Sequence, residues 1–113
     1  LPVQIAVNGE WFGAPHAAED TVFHFGQILA HLARTRSLAA GSIVGAGTIS
    51  NANPEAGSAC ITEARVRQIL AGAPEQQLRP YLRHGDRVRL EVRNAQGQSV
   101  FGLIDQPVHL MGR

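Results

Sequence analysis

A chain of 113 residues with 44% hydrophobic and 17% charged content fits one soluble globular domain with a single core and excludes a disordered protein. The formal net charge of +1 gives no electrostatic reason to expect nucleic acid or an anionic membrane as a partner, and no run approaches the roughly 20 apolar residues of a membrane span. All ten cations are arginine, and the only cysteine, Cys60, cannot form an internal disulfide, a usage that fits a reducing cytoplasm.

The opening residues LPVQIAV carry no initiator Met and run almost directly into a strand, so the chain is expected to be a piece of a longer protein. Residues 3–7 alternate, Asn8-Gly9 follows, and Glu10-Trp11-Phe12 resumes the pattern. Asn-Gly between two such runs predicts a hairpin, because both residues accept the positive φ of a type I′ turn. Gly13-Ala14-Pro15 closes it. Phe25, Ile28, Leu29 and Leu32 fall at i, i+3, i+4, i+7, which predicts a helix capped by Asp20 or Thr21, with Arg34 and Arg36 at its C-terminal end. The apolar run Ser42–Ala46, flanked by glycines, reads as a buried strand, and an extended loop follows. A second helix is expected from about Thr62 to Leu70, with Val66, Ile69 and Leu70 on one side and Gly72-Ala73-Pro74 ending it. Residues 87–93, RVRLEVR, alternate strictly: Val88, Leu90 and Val92 are expected inside, and Arg87, Arg89, Glu91 and Arg93 outside. A turn at Asn94–Gly97 then returns the chain as a strand over Ser99–Ile104.

Few residues are candidates for chemistry. His24 and His31, seven apart, share a helix face, but zinc sites on one helix use i, i+4 more often, and no acidic or Cys spacing accompanies the pair. Cys60 has neither a base nor an oxyanion hole legible beside it, so it reads as a small buried residue. Hard cations want converging carboxylates, and the chain has no Glu-x-Glu; no metal ligand is assigned. Asp86, in His84-Gly85-Asp86, reads as a turn residue opening a strand, and Asp105 closes the last one. The segment Gly45-Ala46-Gly47-Thr48 differs. Its glycines allow a ligand close to the backbone, and a threonine offers both N–H and hydroxyl to a carboxylate, although on the chemistry alone a tight structural turn is the favoured reading of the glycines.

Four segments together resemble the fumarylacetoacetate hydrolase family: VNGEWFG at 7–13, FHFGQILAHLARTRSLAAGSIVGAGTISN at 23–51, G-x-x-C-I-T-E-A-R at 57–65 and HGDRVRLEVRNAQGQSVFGLIDQ at 84–106. The resemblance implies a strand-dominated α+β fold, a mixed β-sandwich roll with about two helices, with residues 1–113 forming the C-terminal part of the catalytic domain. It implies a cytoplasmic, dimeric enzyme of aromatic catabolism that uses Mg²⁺, or Ca²⁺ or Mn²⁺, to chelate a 2-oxo or β-dicarbonyl acid and hydrolyse a C–C bond. The family's acidic metal cluster, substrate Lys and catalytic His lie upstream of the matching region and have no counterpart here. The upstream part of the same enzyme is therefore an implied partner, and this chain alone is expected to be inactive. Thr48 matches the threonine that contacts the substrate carboxylate in the family, and Gly47 the glycine that lets the backbone approach. Glu63 is the nearest carboxylate to the glutamate that some members pair with the catalytic His. Its spacing departs from theirs, and a helix-start charge is the competing reading. The alternative function is a non-catalytic β-roll module that binds a small acid or a protein partner.

Overall fold

The computed structural model describes residues 1–111, so the last two residues of the expected domain lie outside the description. Strands β1 (Val3–Val7) and β2 (Glu10–Gly13) form the expected hairpin, with Asn8 at φ 54° and Gly9 at φ 81°. Both angles lie in the left-handed region that an Asn-Gly turn supplies. Ala6 pairs with Trp11 and Ile5 with Gly13, so Phe12 is the extra residue of a bulge. Ile5 and Phe12 are the buried apolar residues of the sheet.

Helices α1 (Phe25–Ala33) and α2 (Ile61–Leu70) follow, and then β3 (Arg87–Arg93) and β4 (Ser99–Pro107). The Asn94 side chain fixes the β3–β4 turn by accepting from the N–H groups of Gln96 at 3.1 Å and Gln98 at 2.9 Å. All pairings are antiparallel, in the order β2-β1-β3-β4. The fold is the strand-dominated α+β class with two helices. Val3, Ile5 and Val7 lie opposite Val92, Leu90 and Val88 on one face, and Gln4 and Ala6 opposite Glu91 and Arg89 on the other.

Four expectations need correction. The cap of α1 is His24, whose ring accepts from the Gln27 N–H at 3.3 Å while the Gln27 side chain accepts from the His24 N–H at 3.1 Å. Asp20 instead takes φ 57° and accepts from the Ala52 N–H at 2.8 Å. Residues 42–46 form no strand, and Ile43 is 97% exposed. An apolar run becomes a strand only against another strand's free N–H and C=O groups, and no described strand pairs with it. Glu91 is buried, whereas its neighbours Arg89 and Arg93 are exposed as expected. Those arginines reach it at 3.5 and 2.9 Å and cover its carboxylate. Cys60, expected to be buried, is half-buried at the start of α2.

Neither helix has a buried residue: of the stripes that predicted them, Phe25, Leu29, Val66, Ile69 and Leu70 are exposed, and Ile28 and Leu32 are half-buried. The accessible surface is 8622 Å², against about 6,000 Å² for a compact monomer of this mass. The radius of gyration is 16.9 Å, against about 13 Å for a compact chain of this length. The core is therefore open along its helical side. Among the described residues no helix is long and apolar enough to cross a membrane.

Candidate functional site

The irregular segment between residues 45 and 60 is held by its second half. Asn51, 3% exposed, accepts from the His16 N–H at 2.6 Å and donates to the carbonyls of His16 and Glu19, both at 3.1 Å. Its own carbonyl accepts from Arg67 Nη2 at 2.6 Å. A short 3₁₀ turn, Pro54–Ala56, is capped by Asn53 and leads to Gly57 at φ 68°. There the backbone of Gly57 lies against that of Gly13, so close that a Cβ on Gly57 would sit 2.6 Å from the Gly13 Cα. Only glycine satisfies both the torsion and the contact.

Glu63 joins this anchor in the first turn of α2. It accepts from Ser50 Oγ at 2.6 Å and from Arg67 Nη2 at 2.7 Å. Burial pushes its carboxyl up, but the hydrogen bonds from Ser50 and Arg67, together with the Arg67 charge, outweigh this and hold it below its ordinary range. Ser58 Oγ, also buried, has no hydrogen-bond partner among the described residues. The arrangement is that of a structural pin: a charged carboxylate joining the loop to a helix.

Gly47 and Thr48 stand just before the anchored half, both exposed. Neither Gly45 nor Gly47 has a positive φ, and no atom lies within 4 Å of where a Cβ would stand on either. Within this chain, therefore, neither torsion nor crowding demands glycine there. The loop is fixed from Ser50 onward and open in front of Gly47 and Thr48.

Most of the remaining carboxylates are committed to structure. Asp86 accepts from Asn8 Nδ2 at 2.9 Å and the Arg83 N–H at 2.6 Å, and these bonds hold its carboxyl low. Asp105 pairs with Arg87 at 2.6 Å. Among the described residues no three His, Cys, Asp or Glu side chains converge on a point. The donors present therefore do not fit a hard cation, which needs several oxygens in one compact shell. His24 serves as a helix cap, and His31 lies in the last turn of the same helix.

Sequence reasoning singled out Gly47, Thr48 and Glu63, and the structure joins Glu63 to the loop through Ser50. It missed Asn51, Ser58 and Arg67. Arg67 was open to discovery, since Glu63 and Arg67 are an i, i+4 ion pair. Asn51 was not, because the partners of its side chain lie more than thirty residues earlier.

A family model described as "Fumarylacetoacetate (FAA) hydrolase C-terminal" matches residues 1–108. No curated protein matches the chain.

Proposed function

Because the chain belongs to the fumarylacetoacetate hydrolase C-terminal family, we propose that its Gly47-Thr48 loop grips the carboxylate of a 2-oxo or β-dicarbonyl acid. The complete enzyme in this reading hydrolyses or otherwise cleaves a C–C bond of a fumarylacetoacetate-like substrate. The observation that supports it is the unforced glycine at 47, beside an exposed threonine on a loop anchored from Ser50 onward. A residue type that the fold itself does not require is best explained by something that approaches from outside. The Thr48 hydroxyl and the loop N–H groups would donate to the two carboxylate oxygens, and the Glu63–Arg67 pin would keep that loop in register. Glu63 is then a positioning residue, not an acid or a base. The divalent metal belongs, in this reading, to carboxylates supplied by another part of the enzyme, and no step here is derived through it. That part and a second copy of the chain are the partners that the reading implies.

The test is Thr48→Val in the complete enzyme, assayed with Mg²⁺ and a 2,4-dioxo acid by loss of its enol absorbance. Valine keeps the shape and removes the hydroxyl. One hydrogen bond to a charged group is worth about 1.5–3 kcal/mol, so kcat/KM should fall roughly tenfold to a hundredfold with an unchanged melting temperature. An unchanged kcat/KM with a lowered melting temperature would mean that the threonine only shapes the turn.

A further inference from the structure

Two grooves open beside the first hairpin, and their charges differ in one respect. The groove of about 330 Å³ over Gln4, Ala6, Trp11, Arg89 and Glu91 has its charges already paired, Arg89 and Arg93 both reaching Glu91. The second, of about 390 Å³, lies between α2 and β2, and neither Gly47 nor Thr48 borders it. Its size falls within the roughly 300–1,000 Å³ of small-molecule sites. Trp11 and Phe12 form its apolar wall, with Arg67, Gln68, Arg79 and Ser58 around it.

Two of these groups, Arg79 and Ser58, have no ion-pair or hydrogen-bond partner for their side chains among the described residues. The guanidinium of Arg79 lies 4.8 Å from the centre of the Phe12 ring and, among the described residues, pairs with no carboxylate. Its backbone is fixed on both sides: the Arg79 N–H donates to Gln68 Oε1 at 2.8 Å, and its carbonyl accepts from Arg65 Nη1 at 2.6 Å. Ser58 Oγ is buried and unpartnered, which costs stability unless something else meets it. The Glu63 charge, which would repel an anion, is already taken up by Arg67 at 2.7 Å.

We propose that this groove is a binding site for a small planar carboxylate with an apolar body. The carboxylate sits on the Arg79 guanidinium and accepts from the Ser58 hydroxyl, while the body packs against Trp11 and Phe12. A carboxylate suits the pair of donors because guanidinium and carboxylate are both planar and match oxygen for nitrogen. The flat aromatic wall favours an unsaturated or aromatic body over a branched one.

Benzoate is a suitable probe, and Trp11, the only tryptophan, reports on it through its fluorescence. Titration of the chain should quench that fluorescence saturably. Arg79→Gln should weaken binding at least about tenfold and Ser58→Ala several-fold, with circular dichroism unchanged and the melting temperature of Ser58→Ala no lower than that of the wild type. Because Trp11 also borders the first groove, the Arg79→Gln arm assigns the signal to the second. Benzyl alcohol, of similar shape and no charge, should bind at least tenfold more weakly. Absence of a saturable change, equal binding of benzyl alcohol, or wild-type affinity in a folded Arg79→Gln protein would each overturn the proposal. If Arg79→Gln fails to fold, Ser58→Ala decides by itself. That variant relieves an unsatisfied group, so weaker binding from a protein at least as stable as the wild type has no merely structural explanation.

Discussion

Glu63 is held from two elements at once, by Ser50 of the loop and Arg67 of its own helix, and this makes it a reporter of pH. Its folded carboxyl titrates below its ordinary value of 4.5, so its contribution is present above that pH and is lost as pH falls through the lowered value. Asp86, Glu91 and Asp105 are lowered as well, so the wild type should lose stability on acidification over the same window. Glu63→Gln should cost about 0.5–1 kcal/mol near neutrality, and its deficit should narrow below about pH 4. Melting curves from pH 3 to 7 check this; a deficit that stays constant across the range would mean that the charge is not what matters. Residues of this kind were partly legible in sequence. Thr48 stood out as an unusual group in a glycine-rich loop, and Glu63 only through the family resemblance. The capping role of His24 did not, because histidine is not among the side chains that usually cap helices, and the burial of Glu91 depends on where two arginines fold.

The two hairpins and both helices were legible because each is fixed by a local rule. Asn8-Gly9 sets one turn and Asn94–Gly97 the other, and the helices follow from their apolar spacing. Helix α2 ends as the sequence suggests: Gly72 at φ 83° donates to the Ile69 carbonyl at 2.9 Å, and Ala73 to the Gln68 carbonyl at 3.0 Å. Residues 42–46 failed because a strand is not a local object. They have the composition of a strand, but its backbone groups must find an edge to pair with. The amides of residues 43–46 should therefore exchange with deuterium as fast as a free peptide in the isolated chain, and should become protected in a complete enzyme that offers an edge. Slow exchange at Ile43 and Val44 in the isolated chain would show a strand pairing that the structure lacks.

At the scale of the molecule, the surplus of roughly 2,600 Å² over a compact monomer is the leading fact. It is of the size that an obligate interface covers, and the outward stripes of α1 and α2 supply its apolar part. The isolated chain should therefore associate as its concentration rises through the micromolar range. Sedimentation or light scattering should show at least a dimer, with binding of an apolar dye falling as it forms. A strictly monomeric chain that binds no dye would mean that the helices close onto the sheet in solution. No local pattern announced this openness. The stripes that predicted the helices lie largely exposed in this chain, because an amphipathic pattern names a face to cover and not the chain that covers it.

The middle of the sheet has a consequence for how the chain can be divided. Strand β1 lies beside β3 through five residue pairs, Val3 with Val92 to Val7 with Val88, so the first and last parts of the sequence meet there. Each outer strand hangs from one of these by a short turn. Everything between, including both helices and the Gly47-Thr48 loop, is a single excursion that leaves the sheet after β2 and returns before β3. A cut in the exposed stretch near Leu38–Gly41 would thus give two pieces, each carrying one complete hairpin and one half of the central seam. Produced separately and mixed, they should rejoin along that seam, as the halves of a split reporter do. Exchanging Ile5 for Lys should prevent the reunion by placing a charge at the buried position opposite Leu90.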